Sequence, residues 1–263
     1  MPELPEVEAV CRRLGAGVAG ARIAGAAVRR CAPPDIGESV SGRRIHAVVR
    51  RGKHILLRLS GGITLLVHLR LSGNLYRIPD RRLPPAAARV RLDLEDGAAL
   101  VLDDPRALAR MEALADEEAD ARMDLLGPEP LSPAFTPEWL VKSARASRQP
   151  AKLYLMDQTR VAGLGNIYAA EALFRARIHP GRVMQRIARP RLEHLHHAIV
   201  EVLNDAVQSA IFAYSGPGEF REAETFPLAV YDREGQGCLT CGRKIRRIRQ
   251  GGRSTYFCPG CQR

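Results

Sequence analysis

The strongest constraint on the fold lies in the last 26 residues, which contain two Cys-x2-Cys pairs separated by sixteen residues. The pairs are Cys238 with Cys241 and Cys258 with Cys261. Two such pairs at this separation can bring four thiolates into a tetrahedron, which is the geometry of structural Zn²⁺ sites. The spacing therefore predicts one structural Zn²⁺ ion in a short C-terminal ribbon. The simplest alternative is that the ribbon has no partner and only stiffens the C-terminus.

The same segment is strongly basic. It holds seven Lys or Arg residues and no Asp or Glu, in a 263-residue chain whose formal net charge is +11. The basic residues are Arg243, Lys244, Arg246, Arg247, Arg249, Arg253 and Arg263. A metal-stabilised hairpin with this charge predicts a polyanionic partner, and nucleic acid is the obvious candidate.

Composition places the chain among ordinary globular proteins, with 46% hydrophobic and 26% charged residues. The length allows two domains besides the ribbon. No run approaches the roughly 18–20 apolar residues of a membrane span, and the N-terminus lacks a basic-then-apolar signal region. For Cys11 and Cys31, buried thiols in a reducing compartment are favoured over a disulfide. We therefore expect an intracellular protein with no membrane partner.

The predicted elements change in kind along the chain. A short helix over Val7–Leu14 is followed by β-type runs that are separated by the turns Gly61-Gly62 and Asp96-Gly97. These runs are Arg44–Arg50, His54–Leu59, Ile63–Leu69 and Val90–Leu94. Short strands at this spacing predict an antiparallel sandwich or barrel. The acidic run at 112–124 predicts a solvated surface.

A proline-rich linker at 127–133 separates this β-rich part from a helical part. Pro190 opens a long helix with one apolar face. Three histidines lie on this helix, His194, His196 and His197, and a hydrated or edge-of-core role is favoured over metal ligation. We predict a domain at 1–126, the linker at 127–133, a helical domain at 134–226 and a zinc finger at 227–263.

The N-terminus carries the first chemical signal. Removal of Met1 would leave the secondary amine of Pro2 as the α-amino group, with a pKa near 7.7–8.0, whereas lysine lies near 10.4. Such an amine can attack an aldehyde-like carbon and form a Schiff base, with Glu3 beside it as a general acid. The alternative interpretation is that Pro2 and Glu3 are simply favourable helix-start residues.

Two further turns carry weaker signals. In the segment Gly163–Ala169, two glycines before a helix would let backbone N–H groups and the Asn166 side chain hold a phosphate. A plain tight turn is the alternative. The segment Arg51-Gly52-Lys53-His54 is a basic turn between two predicted strands. Its lysine is of interest only if that sheet edge faces DNA, because a surface lysine is normally just solvated.

Taken together, these residues resemble the formamidopyrimidine-DNA glycosylase/endonuclease VIII family of base-excision repair enzymes. The resemblance runs through the whole chain in order, and Leu4 favours the formamidopyrimidine branch. The matching segments are Pro2–Glu8, Arg51-Gly52-Lys53, His68–Gly73, Gly127–Leu131, Met156-Asp157-Gln158, Gly163–Glu171, Ile178-His179-Pro180 and Gly251–Cys258.

The resemblance implies an α+β fold with an N-terminal antiparallel β-sandwich, a helix–two-turn–helix domain and a C-terminal zinc-finger hairpin, with DNA between the first two. It implies a cytoplasmic, monomeric, bifunctional glycosylase and lyase that acts on damaged double-stranded DNA. Pro2 would attack C1′ of the damaged nucleotide, and Glu3 would be the general acid. Lys53 would act in β-elimination, and Arg253 in δ-elimination.

The resemblance also implies a set of DNA contacts. A target base must leave the stack before an amine can reach C1′, and residues at three positions would fill the gap. The expected DNA-binding residues are Leu71, Arg106, Leu108, Asn166, Gly165, Lys152, Arg148 and Arg89.

This chain departs from the family pattern at several of these positions. Leu108 replaces an aromatic wedge with an aliphatic one. Arg89 is the only residue of Ala86–Arg89 that could compensate for a missing DNA-contacting histidine. The loop at about Phe212–Thr225 is shorter than usual and lacks a Gly-Gly-Thr-Thr-like start. Oxidised or ring-opened bases remain the expected class, and these departures leave the preferred lesion open.

Two other functions are compatible with parts of the pattern. A catalytically silent DNA-binding protein of the same fold would keep the ribbon and the phosphate-binding turn without chemistry. An RNA-binding zinc-ribbon protein would leave the N-terminal motif unexplained. Neither function explains why Pro2, Glu3, Lys53 and Arg253 occur together in one chain.

Overall fold

The computed structural model describes residues 2–79, 86–213 and 225–263, and the chain forms two compact units. The first unit consists of Met1–Leu125 with Val207–Thr225, and the second of Leu126–Ala206 with Phe226–Arg263. Most of the loop expected to depart from the family pattern lies outside the described residues.

The first unit is built, in its described part, from antiparallel strands, three complete helices and the last residues of a further helix. The helices are α1 (Leu4–Val18), α2 (Ile36–Val40) and α3 (Asp116–Asp124). The strands are β1 (Ile23–Val28), β2 (Ile45–Arg51), β3 (His54–Leu59), β4 (Ile63–His68), β5 (Asn74–Ile78), β6 (Ala88–Leu94), β7 (Ala99–Asp103) and β8 (Arg110–Ala115). They form two sheets with the strand orders β1-β6-β7-β5 and β2-β3-β4-β8.

The inner faces of the two sheets share one hydrophobic core. In β6, for example, Val90, Leu92 and Leu94 are buried while the residues between them are partly exposed, which is the period-2 pattern of a half-buried strand. These residues pack in the same cluster as Leu57 of β3 and Leu65 of β4. The expected antiparallel β-sandwich is therefore confirmed.

Helix α1 closes this core. It begins at Leu4, three residues before the predicted start, because Pro5 and Glu6 suit the first turn of a helix. Its buried face includes Val7, Val10 and Leu14, which join the sandwich cluster.

The second unit combines helices with the C-terminal hairpin. Its helices are α4 (Pro137–Arg145), α5 (Ala151–Met156), α6 (Asn166–Arg175), a 3-10 turn at Met184–Arg186 and α7 (Arg189–Ala213), whose last residues belong to the first unit. Strands β9 (Arg246–Gln250) and β10 (Arg253–Phe257) pair as an antiparallel hairpin. At the start of α4, the Thr136 hydroxyl accepts a hydrogen bond from the Trp139 N–H, as expected of an N-cap.

The hairpin and α6 share a small core of their own. Ala170 of α6 packs with Val230, Ile245 and Tyr256 of the C-terminal segment. The α+β prediction is confirmed. Within the described ranges, no helix combines the length and the apolar character that a membrane crossing requires.

Candidate active site and nucleic-acid interface

The first turn of α1 fixes the N-terminal motif. Pro2 is buried, and Glu3 is only 1% exposed. The Glu3 N–H donates to the Glu6 carboxylate at 2.8 Å, and the Glu3 side chain accepts in turn from the Glu6 backbone, forming a capping box. Since Glu6 is fully buried, this capping box holds the Glu3 backbone in one geometry directly after Pro2.

The basic turn between β2 and β3 is not the solvated loop that its composition suggests. Lys53 is 7% exposed, so the structure buries the lysine that is normally a surface residue. Arg50 donates to the Gly52 carbonyl at 3.2 Å and to the Glu8 carboxylate of α1 at 2.7 Å. Glu8 and Arg50 therefore connect the helix that follows Pro2 and Glu3 with the turn that carries Lys53.

Two histidines lie next to this turn at the ends of β3 and β4. The rings of His54 and His68 meet edge to face with centroids 4.7 Å apart, and the Arg70 N–H donates to His68 Nδ1 at 3.0 Å. Burial lowers the pKa of His54 to about 4 and that of His68 to about 3, so both are neutral at pH 7. Sequence reasoning did not predict that His54 and His68 are in contact, although they pair across β3 and β4.

The residues expected to fill the gap in the base stack lie on two loops of the same unit. Leu71 follows β4 and is 45% exposed, while Leu108 follows β7 and is 43% exposed. Arg106, on the second loop, is exposed as well. Arg89 donates to the carbonyls of Asp104 and Pro105 at 2.7 and 3.0 Å, so its guanidinium supports this loop.

In the second unit, the glycine turn before α6 is shaped by one amide side chain. Gln158 accepts a hydrogen bond from the Gly163 N–H at 2.9 Å and donates to the Leu164 carbonyl at 2.8 Å. Gly165 precedes Asn166, the first residue of α6. The Asn166 Oδ1 atom is buried and has no hydrogen-bond partner in the described part of the chain. The turn presents the N-terminus of α6 and the Asn166 side chain, whose amide nitrogen is the donor that suits a phosphate.

Lys152, expected to contact DNA, is fully buried. Its ammonium donates to the Ser254 carbonyl at 2.9 Å and to the Thr255 hydroxyl at 2.6 Å. It therefore holds β10, the strand that begins with Arg253. Arg148, the other basic residue expected in this region, is exposed.

The tight turn of the hairpin presents Arg253. Gly251 and Gly252 have φ values of +53° and +76°, the two left-handed positions that a two-residue hairpin turn of type I′ requires. Gln250 pairs with Arg253 across this turn, and Arg253 is exposed. A Cβ atom at Gly251 would lie 2.9 Å from Leu153 Cδ2, so the turn also packs closely on α5.

The four cysteines converge at the base of the hairpin. Their sulfur atoms all lie within 4.8 Å of one another, with 3.8 Å between Cys238 and Cys261 and 3.4 Å between Cys241 and Cys258. Four thiolates at 2.3 Å from a tetrahedral Zn²⁺ would be about 3.8 Å apart. The donor set and its geometry therefore fit Zn²⁺. Cys11 and Cys31 are buried free thiols.

Glu171 anchors the segment that leads into the ribbon, and sequence reasoning assigned it no role. The side chain, 4% exposed, accepts hydrogen bonds from three consecutive backbone N–H groups. The donors are Ala229 at 2.9 Å, Val230 at 3.0 Å and Tyr231 at 2.8 Å. Because Glu171 belongs to α6, the helix that begins at Asn166 also positions the start of the ribbon.

Three family models match consecutive parts of the chain. Residues 1–111 match the formamidopyrimidine-DNA glycosylase N-terminal domain, and residues 126–214 match the H2TH domain of the same enzymes. Residues 235–263 match a zinc finger found in FPG and IleRS. The chain belongs to the formamidopyrimidine-DNA glycosylase family. Its four cysteines accordingly form one structural zinc site.

Full-length relatives agree with this family assignment. The chain is 39% identical over 272 residues to a formamidopyrimidine-DNA glycosylase of Chloroflexus aurantiacus, covering 100% of this chain and 98% of that protein. It is 41% identical over 277 residues to one of Methylococcus capsulatus, with both proteins fully covered.

Solved structures of the family have the same fold. The MutM (Fpg) protein of Thermus thermophilus is 38% identical with a TM-score of 0.86, covering 99% of this chain and 98% of that chain. The Lactococcus lactis formamidopyrimidine-DNA glycosylase, solved non-covalently bound to DNA with an abasic site, is 28% identical with a TM-score of 0.89. That comparison covers 99% of each chain.

Proposed function

We propose that this DNA glycosylase of base-excision repair removes oxidised or otherwise damaged bases through a Schiff base at Pro2 and then nicks the strand by β,δ-elimination. The observation that carries the proposal is the connection of Pro2, Glu3 and Lys53 within the first unit. The capping box of α1 fixes Glu3, which follows Pro2 directly in the chain, and the Glu8–Arg50 pair connects that helix with the turn of Lys53.

The chemistry of these groups fits the two stages. After loss of Met1, the unprotonated secondary amine of Pro2 attacks C1′, the bond from C1′ to the base breaks, and the base leaves with a proton. The C1′–O4′ bond of the sugar then breaks, and Glu3 donates a proton to O4′ as general acid, which leaves the Schiff base between Pro2 and C1′. Lys53 assists loss of the 3′ phosphate in β-elimination, and Arg253 assists loss of the 5′ phosphate in δ-elimination.

The DNA would be held by groups from both units. In the second unit, Asn166 and Gly165 would hold a phosphate at the N-terminus of α6, and Arg148 would contact the backbone. In the first unit, Leu71, Arg106 and Leu108 would fill the space left by the extruded nucleotide. We propose that the protein acts as a monomer on damaged double-stranded DNA and that its domains are 1–126, 134–226 and 227–263.

Reductive trapping tests the proposed Schiff base. The protein is prepared with a cleavable N-terminal extension that leaves Pro2 as the first residue after cleavage. Incubation of the cleaved protein with an abasic-site duplex and sodium borohydride should give a covalent protein–DNA adduct. The uncleaved protein is the matched control and should give none, because its Pro2 nitrogen is an amide.

The absence of an adduct with the authentic N-terminus would overturn the proposed mechanism. Salt-sensitive binding to the same duplex without any adduct would instead support the catalytically silent DNA-binding alternative. The replacement of an aromatic wedge by Leu108 is the feature that favours that alternative, so adduct formation and binding are measured on the same preparations.

A further inference from the structure

Asp104 organises the loop that carries Arg106 and Leu108. It follows β7 directly and is fully buried, yet its carboxylate accepts four hydrogen bonds. The donors are the Ser72 hydroxyl at 2.5 Å and the backbone N–H groups of Arg106 at 3.1 Å, Leu108 at 2.6 Å and Ala109 at 2.7 Å. Burial alone would raise the pKa of Asp104, but these hydrogen bonds outweigh it and hold the pKa below its ordinary value.

The hydrogen bond from Ser72 joins two loops that are far apart in sequence. Ser72 is the neighbour of Leu71 on the loop between β4 and β5, and Asp104 lies 32 residues further along the chain. The two loops also pack directly on each other at Gly73. A Cβ atom there would lie 3.1 Å from the Ala109 Cβ and 2.5 Å from the Leu69 carbonyl oxygen. Only glycine permits this approach.

Leu71 and Leu108 each directly follow a residue in a strained backbone conformation. Arg70, before Leu71, has φ +57°, and Ala107, before Leu108, has φ +52°. A left-handed conformation costs a non-glycine residue about 1–2 kcal/mol, so it persists only where the surroundings enforce it. Asp104 accepts hydrogen bonds from the backbone N–H groups of Arg106 and Leu108, on either side of Ala107, and these bonds hold Ala107 in this conformation.

We infer that Asp104 is a positioning residue that locks the loops of Leu71, Arg106 and Leu108 into one rigid element before DNA arrives. This inference rests on the proposed gap-filling role of those three residues. A preorganised element loses little conformational entropy when it enters the base stack. Asp104 itself, being fully buried, makes no contact with DNA. Its effect should therefore appear only on substrates that contain a gap in a base stack.

The test compares two DNA molecules that contain the same tetrahydrofuran analogue of an abasic site. One is a duplex with 2-aminopurine opposite the site, and the other is the single strand, which has no opposite base and no gap to fill. In Asp104→Asn, the amide nitrogen cannot accept the hydrogen bonds that one carboxylate oxygen accepts. We expect the Kd for the duplex to rise about 10- to 100-fold, the range for loss of charge-assisted hydrogen bonds.

Three further results are expected with the same substrates. The Kd of Asp104→Asn for the single strand should stay within about 2-fold of wild type, and its duplex complex should lose most of the 2-aminopurine fluorescence change. Ser72→Ala, which removes only the link between the loops, should raise the duplex Kd by less than Asp104→Asn does. Asp96→Asn is the matched control, because Asp96 caps a turn by accepting the Ala98 N–H at 3.0 Å, at the opposite end of β7.

An equal loss of affinity for both DNA molecules, or no loss for either, would overturn the inference. If Asp104→Asn folds poorly, Ser72→Ala still tests the inference, because this variant retains the buried carboxylate of Asp104. Neither readout needs catalysis, because the tetrahydrofuran analogue has no base to release. Failure of the Schiff-base proposal would appear in reductive trapping and is thus distinguished from failure of this inference.

Discussion

At the scale of single residues, Glu8 is the side chain that ties the N-terminal helix to the lysine turn. Its carboxylate accepts from Arg50 at 2.7 Å and from Arg12 at 2.8 Å. Burial opposes the charged form, but the two arginines prevail, and the pKa of Glu8 lies below its ordinary value of 4.5. Stability from such a group is present above its unfolded pKa and is lost as the pH falls through the lower folded pKa.

This direction of the pKa shift of Glu8 gives a prediction for the variant Glu8→Gln. At pH 7 the variant should be less stable to urea than wild type by about 1–3 kcal/mol, because it loses a hydrogen-bonded charge partner of Arg50. The difference should begin to shrink as the pH falls below 4.5, where the carboxyl is protonated in the unfolded chain, and should be lost as the pH falls through the lower pKa of the folded state. Urea unfolding at pH 7 and at successively lower pH measures it.

Glu117→Gln is the control for the Glu8 prediction, since Glu117 is an exposed carboxylate of α3. It should change stability by less than about 0.5 kcal/mol at either pH. A stability difference for Glu8→Gln that is constant with pH would contradict the assigned role of the Glu8 charge.

A second residue-scale prediction concerns Lys152 and the strand of Arg253. Lys152→Met keeps the length of the side chain but leaves the Ser254 carbonyl and the Thr255 hydroxyl without the ammonium donor. We expect the strand to lose its fixed position and δ-elimination to fall about tenfold, while bound zinc stays at one ion per chain. Gel analysis of the cleaved DNA ends and a colorimetric zinc assay on the same sample measure the two quantities.

Lys142→Met is the matched control, because Lys142 is exposed on α4. It should change neither quantity. If Lys152→Met released zinc, or left the ratio of δ- to β-elimination products unchanged, Lys152 would not have the positioning role that its hydrogen bonds indicate.

At the scale of elements, the ribbon depends on metal because its own core is small. Cys258→Ala should abolish stoichiometric zinc and with it most DNA binding, since an unfolded ribbon no longer presents the Arg253 turn. Cys11→Ala removes an equally buried thiol from the first unit and should keep one zinc per chain. Metal analysis together with binding to an abasic-site duplex distinguishes the two, and full zinc content in Cys258→Ala would contradict the site.

Local patterns predicted the strands better than they predicted the environment of charged residues. The run His54–Leu59 is β3 without change of bounds, because a short run of β-type residues that ends at a Gly-Gly turn is a local signal. The acidic run at 112–124 lies on the end of β8 and on α3, where most of its side chains are exposed, as expected of a solvated surface. The sequence did not predict that four of its carboxylates pair with arginines. Arg58 contacts Asp116 and Asp120, and Arg122 contacts Glu112 and Glu118.

The candidate site shows the same limit. Sequence motifs predicted Pro2, Lys53 and Arg253 as site residues, because the chemistry of an amine or a guanidinium can be inferred from the residue type. The burial of Lys152 and the roles of Glu171 and Asp104 were not predicted, because each depends on partners far away in sequence. Glu171, for example, binds backbone groups 58 to 60 residues further along the chain. His196 was expected at a hydrated or core-edge position and is buried against Phe135.

At the scale of the whole molecule, the excess of positive charge should appear as a salt-dependent affinity for DNA. The logarithm of the binding constant falls with the logarithm of salt concentration by about 0.9 for each duplex phosphate that a cation neutralises. Arg253 and Arg148 are exposed and are proposed to face phosphates. Arg122 is also exposed, but it lies between two carboxylates of the acidic surface. The net charge of +11 alone does not distinguish these three arginines.

Their individual contributions can be separated by the slope of this salt dependence. Titration of a tetrahydrofuran-containing duplex at several salt concentrations should give slopes about 0.9 smaller in magnitude for Arg253→Gln and for Arg148→Gln than for wild type. Arg122→Gln removes the same formal charge and should leave the slope unchanged, because its guanidinium is already paired with Glu112 and Glu118. Equal reductions in all three variants would mean that net charge attracts DNA without a defined set of phosphate contacts.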